Sequence, residues 1–432
     1  MAYCGYVTTL KNLRKHPNAD RLLLGECFGN VVCVSTDYAE GEIGVYFPTD
    51  GQLSVEFCDI NHLCRKTANG EPDTGYLDRD KRNVTSIKLR GEKSDGLVMP
   101  IETLSKYVDV STLKDGDQIS VIDGHEICRK YIPKRQKSQF NGSKKGNVNK
   151  KELKYEVAYP QFLLHEDTEQ LVYNQNAFKE GDLCYITLKL HGSSGRTSNT
   201  LQITKKRRNP ILKKLFNLRD KQTEEYQYIS GTRRTTLRDY DGGFYGSNQF
   251  RQKYHDLFKD KLPQGVCVYY EIVGYTDGSQ TIMGRCSNKL VKDKQFQKEY
   301  GDETVFSYGC DVGENDCYVY RMTMISHDGF VVEIPFEEMQ LMCERMGVKC
   351  VPLFEKFFFT TWDDLMQRVE KYYDGVDPIG KTHIREGVVV RIANREKFTA
   401  FKHKNFYFKV LSNIIKDNTD VDNVDDDVLS EM

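Results

Sequence analysis

The sequence predicts an α+β fold in two parts, a small β-barrel followed by a larger domain of antiparallel sheets flanked by helices. Three observations carry this. Short strand candidates separated by turn signals fill residues 1–127, with little helical periodicity. A basic, polar stretch follows over residues 128–155. Residues 156–411 then mix long apolar runs with capped helical segments.

In the first part, residues 27–34 and 44–47 read as strands, with Pro48-Thr49-Asp50-Gly51 as a turn. Residues 84–89 form another strand candidate. Asp115-Gly116 is a turn dipeptide ahead of a strand at 118–122. The stretch RKYIPKRQKSQFNGSKKGNVNKKELK is poor in large apolar residues, so it reads as a linker or mobile arm. Its one-signed charge suits contact with a polyanion. In the second part, residues 183–190 and 266–273 are continuous apolar runs, expected as buried strands, and 318–325 is a further strand. Pro335, at an N1-like position, opens a helix running to about Met346. Thr360-Thr361 caps a second helix, from Trp362 to about Tyr373, stopped near Gly375. Residues 387–392 and 398–402 are late strands. Residues 412–432 close the chain in an acidic tail, expected to be disordered.

Charge nearly cancels, with 62 basic and 63 acidic residues, so the net value does not point to a partner and only its distribution can. Thirteen cysteines make an odd count without a CxxC pair, which argues against a disulfide framework and a zinc ribbon. Reduced thiols in a cytoplasmic or other reducing intracellular compartment are the expectation. The N-terminus lacks a signal h-region, and no apolar run approaches the ~18 residues a membrane span requires.

The chemistry centres on Lys189-Leu190-His191-Gly192, at the end of the apolar run and followed by a glycine-serine turn and Arg196. A lysine before a turn is most often a surface residue. Its companions change the reading: Glu271-Ile272-Val273-Gly274, Tyr318-Val319-Tyr320, Glu386-Gly387-Val388-Val389-Val390 and Lys402-His403-Lys404 follow in order. Together they suit a lysine that attacks a nucleotide phosphate. Such an amine must be neutral, at a cost of about 4 kcal/mol near pH 7 from a reference pKa of about 10.4. Nearby cations disfavour ammonium, and the sequence offers Arg196, Lys402, Lys404 and an implied divalent metal. The same charges would neutralise a triphosphate. Glu271 and Glu386 border apolar strands and require partners. These could be structural arginines, ribose hydroxyls or the hydration shell of Mg²⁺. Tyr320 could stack on a purine or simply pack in the core. Lys402 and Lys404 alternate with Phe401 and His403 and so share one strand face. The basic run Lys205, Lys206, Arg207, Arg208 and onward is either a solvated face or a contact for RNA phosphates.

This ordered set resembles the covalent nucleotidyltransferases: DNA ligases, RNA ligases and mRNA capping enzymes. The resemblance covers roughly residues 156–410. Lys189-Leu190-His191-Gly192 looks like motif I, usually KxDG, and Arg233 (or Arg234) like motif Ia. Glu271 corresponds to motif III, Tyr320 to the stacking aromatic of motif IIIa, Glu386 to motif IV, and Lys402 and Lys404 to motif V. His191 departs from the common aspartate. A KxHG variant marks a branch of RNA ligases. Only about 28 residues follow Lys404, too few for the C-terminal OB domain of DNA ligases and capping enzymes. In front, His16-Pro17-Asn18-Ala19-Asp20-Arg21-Leu22 and Leu89-Arg90-Gly91-Glu92-Lys93-Ser94-Asp95-Gly96-Leu97 resemble OB-fold modules, as in a group of ATP-dependent RNA ligases with an N-terminal OB domain. Those two motifs could equally do no more than shape turns.

The resemblance implies a nucleotidyltransferase domain at 156–411 behind an OB-fold domain at 1–127, and an ATP-dependent RNA ligase using Mg²⁺ or Mn²⁺. Lys189 would take AMP from ATP, pass it to an RNA 5′-phosphate, and let a 3′-OH displace it. Arg196, Arg233 and Glu271 would position ribose and phosphate, and Tyr320 the adenine. Glu386 and Glu271, with His191, would hold the metal, in part through water. Lys402 and Lys404 would bind the α-phosphate. A separate kinase-phosphatase that prepares ends, and a monomeric state, belong to the same expectation. The alternatives are a DNA ligase or GTP-using relative, and a non-catalytic RNA-binding protein.

Overall fold

The computed structural model describes residues 3–132, 155–206, 221–237, 239–241, 245 and 247–418. The chain forms two compact units. One gathers the described residues before 135 with Asn288–Lys294 and Lys404–Asn418. The other holds the remaining described residues of 155–287 and 295–403.

The first unit is built from short antiparallel strands. Gln118–Ile119, Gly5–Thr9, Ile43–Phe47 and Leu97–Pro100 lie side by side in a four-stranded sheet. Val7, Val45, Phe47, Leu53 and Phe57 form its core, all 0 % exposed. No sheet closes on itself among the described residues, so a closed barrel is not what this unit displays.

The strand expected over 27–34 is instead the far half of a hairpin, Leu22–Cys27 against Asn30–Ser35. The chain reverses at Phe28 and Gly29, whose φ values of +51° and +74° make the two-residue turn. An aromatic is a poor turn signal. Here the Phe28 ring packs at 5.4 Å from Tyr6 and 6.0 Å from Tyr46, which offsets the strain of a left-handed backbone. The strands expected at 84–89 and 118–122 are each broken in two, at Thr85 and Ser120.

The two OB-like motifs clasp each other. His16 Nε2 lies 3.0 Å from the Leu89 carbonyl, the Asn18 amide donates to His16 Nδ1, and Asn18 Nδ2 donates to the Arg90 carbonyl. These side chains are committed to turn geometry.

The chain's last described helix runs Phe406–Asn418, beyond the start of the expected tail at 412. Lys409 pairs with Asp95, which also accepts from Ser86 Oγ at 2.5 Å. Tyr407 Oη donates to Asp293 at 2.6 Å, and Lys88 pairs with the same carboxylate. These contacts place Asn288–Lys294 and the helix with the N-terminal strands in one discontinuous unit.

The second unit carries two sheets. In the larger, β2 (Ser193–Lys206), β3 (Lys221–Gly231), β4 (Val266–Gly274), β5 (Asn315–Ile325) and β6 (Val331–Glu333) run in the order β3-β2-β4-β5-β6. In the smaller, Glu169–Gln170, β9 (Ala400–Lys404), β8 (Gly387–Ile392), β1 (Leu183–Lys189) and β7 (Leu353–Phe358) lie in that order. Cys184, Ile186, Val388, Val390, Ile392 and Phe401 turn one face of the smaller sheet into a core with Leu365 and Val369 of helix α3 (Trp362–Glu370). Thr361 caps α3 by accepting from the Asp364 amide. Helix α2 (Phe336–Met346) has Pro335 as its N-cap rather than at N1, and it ends at Gly347 with φ +69°. Helix α1 spans Gln249–Phe258.

All thirteen cysteines are free. No described helix is long and apolar enough to cross a membrane.

Candidate active site

Strand alternation and register assemble the site. Cys184, Ile186 and Leu188 of β1 are buried in the core direction, which leaves Lys189 on the opposite face at the strand's end. β1 runs antiparallel to β8 with Lys189 opposite Gly387, so Glu386, just before β8, reaches the lysine. Lys189 Nζ lies 2.9 Å from Glu386 Oε1. The glutamate side chain is 1 % exposed and the lysine side chain 21 %, so a reachable amine sits against a buried carboxylate.

The turn after Lys189 is fastened on several sides. His191 donates its amide to the Tyr308 hydroxyl at 2.7 Å, sets its ring edge-on to Phe306 at 4.7 Å, and brings Nδ1 to 4.0 Å from Glu386 Oε2. A Cβ on Gly192 would stand 2.2 Å from the Ile272 carbonyl, so only glycine fits there. Arg251, 3 % exposed, donates to the Ser194 carbonyl at 2.9 Å and to Ser193 Oγ.

The larger sheet brings the next groups. β2 pairs with β4 so that Ser194 faces Glu271, and Ser194 Oγ donates to Glu271 Oε2 at 3.1 Å. On β5, Tyr320 packs against Phe162, Ile229, Cys267 and Tyr269, and its hydroxyl is 2.9 Å from His165 Nδ1. Burial, then the Glu271 charge, pushes the Tyr320 phenol well above its ordinary range, so it remains protonated. His165 is pushed down to about 3 by burial, then by Arg233, with Arg321 and Lys189 adding to the effect against the opposing Asp167. It is therefore a neutral imidazole at pH 7.

Arg233 pairs with Asp167, and Arg234 approaches the same carboxylate at 3.5 Å. Burial works against the Asp167 carboxylate, yet the Arg233 charge holds it below its usual range.

Arg196 does not stand among the cations around Lys189. It is 1 % exposed, and its guanidinium donates to the carbonyls of Phe162, Leu163 and Thr232 while stacking at 4.0 Å over the Phe162 ring. A side chain so committed positions the 162–165 segment, which carries His165.

Lys402 lies on β9, two strands from Lys189 across β8. Phe401 points into the core, so Lys402 points to the face that bears Lys189. Lys404 shares that alternation at the strand's last position. Lys205 and Lys206 are exposed at the end of β2, and Arg207 and Arg208 lie outside the described residues.

A second, wholly buried polar group lies behind the Lys189–Gly192 turn. Asp377 is 0 % exposed and His383 2 %. Asp377 Oδ1 accepts from the Ile379 amide at 2.8 Å, while its Oδ2 and His383 Nε2 have no hydrogen-bond partner among the described residues. Burial raises the Asp377 carboxyl to about 7, and the Glu386 charge adds to the rise. The His383 ring meets Tyr308 edge-on at 4.4 Å.

Sequence reading did not single out His165, Arg251, Tyr308, Asp377 or His383. None lies in a motif, and His165, Arg251 and Tyr308 reach their partners Tyr320, Ser194 and His191 across long chain separations. No cluster of three or more His, Cys, Asp or Glu able to hold a metal occurs among the described residues. Glu386 and His191 offer a pair of donors beside Lys189, which suits a hydrated divalent cation that takes few protein ligands.

The RNA ligase family model matches residues 182–411. A search of curated proteins finds no match. Solved structures of Naegleria gruberi RNA ligase are similar in fold. A lysine-to-methionine mutant with AMP and Mn superposes with a TM-score of 0.56 at 16 % identity, covering 94 % of this chain and 98 % of that one. A lysine-to-alanine mutant with ATP and Mn gives 0.55 at 15 %, covering 95 % and 97 %. The ligase with PPi gives 0.54 at 16 %, covering 94 % and 97 %.

Proposed function

Because the chain belongs to the RNA ligase family, we propose that it is an ATP-dependent RNA ligase that joins a 3′-OH to a 5′-phosphate through a lysyl-AMP intermediate. The observation that carries the mechanism is the lysine at the open end of β1, paired with a buried glutamate that the strand register delivers. The Naegleria ligase structures contain ATP, AMP, Mn and PPi, the components such a reaction uses.

Lys189 Nζ attacks the α-phosphorus of ATP, forming an N–P bond as the bond to pyrophosphate breaks. The adenylyl group next passes to the RNA 5′-phosphate oxygen, regenerating the lysine. The 3′-OH then attacks the activated phosphate and AMP departs. Tyr320 offers a ring face to adenine, with its hydroxyl fixed by neutral His165. Glu271 and Arg233 face the ribose and phosphate. Lys402, on the Lys189 face of its sheet, and Lys404 neutralise the α-phosphate and the departing pyrophosphate. Glu386 and Glu271, with His191, would hold Mg²⁺ or Mn²⁺. When bound, the cation neutralises phosphate charge and orients it for attack. Arg196 acts at one remove, through the 162–165 segment.

The N-terminal unit serves as an OB-type module, with Lys205, Lys206, Arg207 and Arg208 adding RNA backbone contacts. The protein works as a monomer in a reducing compartment, on ends prepared by a separate kinase-phosphatase.

Incubating the protein with α-labelled ATP and a divalent metal tests the mechanism. The wild type should carry a covalent AMP adduct and Lys189→Ala none. Label that persists on the mutant, or fails to appear on the wild type, removes Lys189 from the reaction. A nicked RNA and a nicked DNA substrate run side by side separate an RNA ligase from a DNA-sealing relative.

A further inference from the structure

A cavity of ≈ 90 Å³ opens in the second unit at the start of α2, lined by Glu333, Pro335, Phe336, Arg391, Arg395 and Lys397 among others. No role in nucleotide transfer has been given to any of these residues. Arg391 is 7 % exposed. It comes from the face of β8 opposite the core, where the register sets it beside Tyr185. Its Nη2 donates to the Ile334 carbonyl at 3.0 Å, and its Nη1 has no acceptor among the described residues.

Polar groups around the cavity are not all satisfied. Glu333 is the only carboxylate in the lining. It is held by Arg321, whose Nε donates to both carboxylate oxygens at 3.0 and 3.1 Å and whose Nη2 pairs with one of them. Arg391 Nη2 stands 3.9 Å from the same carboxylate, outside hydrogen-bond distance. Arg395 is matched by Asp182 at 2.5 Å. Arg321 pairs also with Glu166 at 3.2 Å, so two carboxylates face the two buried arginines; what is left unmet in the described lining is the inner Nη1 of Arg391, and Lys397 is exposed at the rim. The Phe398 ring lies between the two buried arginines, 4.6 Å from Arg321 and 5.4 Å from Arg391. A buried guanidinium N–H without an acceptor is costly, and an anion in the cavity would supply one. The cavity also adjoins the N-terminal end of an eleven-residue helix, where the backbone dipole favours negative charge. Its volume equals that of about three waters at ~30 Å³ each, room for a tetrahedral oxyanion.

We infer that this cavity is a binding site for a phosphate group, held by Arg391 from within and Lys397 at the rim. Two sources share that chemistry, a backbone phosphate of RNA and free inorganic phosphate, and the test separates them.

The full-length protein is melted in inorganic phosphate and in chloride of equal ionic strength. Phosphate near ten times its dissociation constant should raise the wild-type melting temperature by about 2–4 °C. Lys397→Glu, an exposed change that leaves the core untouched, should lose that rise. Arg391→Gln, which keeps a donor for the Ile334 carbonyl, should lose it as well, with its fold checked by circular dichroism. An equal rise in wild type and Lys397→Glu, or no rise in the wild type, overturns the site. A second arm titrates a 5′-hydroxyl single-stranded RNA, which cannot accept AMP. If RNA is the source, Lys397→Glu weakens binding and makes the log–log salt dependence shallower by about 0.7. If RNA binding is unchanged while the phosphate-induced rise is lost, the site stands and free phosphate is its ligand. The melting arm does not depend on the ligase assignment, so its failure is distinct from the failure of lysyl-AMP formation.

Discussion

Asp377 makes a quantitative prediction about pH and stability. Its carboxyl is 0 % exposed and is raised from 3.8 to about 7, mainly by burial. A carboxyl whose folded pKa exceeds its unfolded one stabilises the fold fully below the unfolded value. It loses that contribution as pH climbs through the window to the folded value. From 3.8 to about 7 the total loss is about 4 kcal/mol at 1.36 kcal/mol per unit. Rather less than half of this has gone by pH 5, which leaves a loss of about 2–3 kcal/mol between pH 5 and pH 8. Asp377→Asn keeps the acceptor for the Ile379 amide and removes the titration. Urea unfolding of both proteins at pH 5 and pH 8 measures the difference. The Asn variant should gain about 2–3 kcal/mol on wild type across that interval, or roughly 3–5 °C in melting temperature. Parallel pH dependences would refute the reasoning, because they would mean that Asp377 is solvated or paired in solution.

Two further variants separate positioning from binding. Tyr308→Phe removes the acceptor of the His191 amide, leaving a buried donor at a cost of about 1–3 kcal/mol in the turn beside Lys189. Lysyl-AMP formation should slow by about tenfold or more with the KM for ATP nearly unchanged, and an unchanged rate would show that the turn does not need this bond. Arg196→Met releases the carbonyls of Phe162, Leu163 and Thr232 and loosens the segment that carries His165. It should raise the KM for ATP more than it lowers kcat in initial-rate adenylylation, and the opposite split would return Arg196 to direct contact with the reacting groups.

How far the sequence could be read depended on the range of the interaction. The strand Leu183–Lys189 was legible because a run buried on both faces is apolar throughout and ends where its lysine meets solvent. β8 was legible over Gly387–Ile392 for the same reason. The register that sets Gly387 opposite Lys189 was not, since nothing local encodes which residue faces which across two hundred positions. His165 and Tyr308 escaped for that reason too: a lone histidine and a lone tyrosine carry no pattern until the fold brings them to Tyr320 and His191. The turn at Phe28-Gly29 was hidden by an aromatic that packing holds in a left-handed conformation. The helix Phe406–Asn418 was not read at all: the domain was closed at 411 because polar residues follow, whereas Lys409 and Tyr407 tie the helix's beginning to Asp95 and Asp293.

Glu386 is where the two demands on this site collide. A carboxylate with 1 % exposure needs a counter-ion, and Lys189 at 2.9 Å supplies it. In the proposed reaction the same residue would also hold a divalent cation, and Lys189 would turn from it to reach a phosphorus. The two roles predict opposite results for Glu386→Gln, which preserves shape and removes charge. If the glutamate chiefly restrains the lysine, the amide frees Nζ and adduct formation speeds up. If it chiefly holds the cation, adduct formation is lost and higher Mn²⁺ recovers part of it. The arrangement favours the second outcome, because His191 Nδ1 stands 4.0 Å from the other carboxylate oxygen and supplies the neighbouring donor a metal would use. Single-turnover labelling across a metal titration decides between them, and a faster variant at every metal concentration would assign Glu386 to restraint alone.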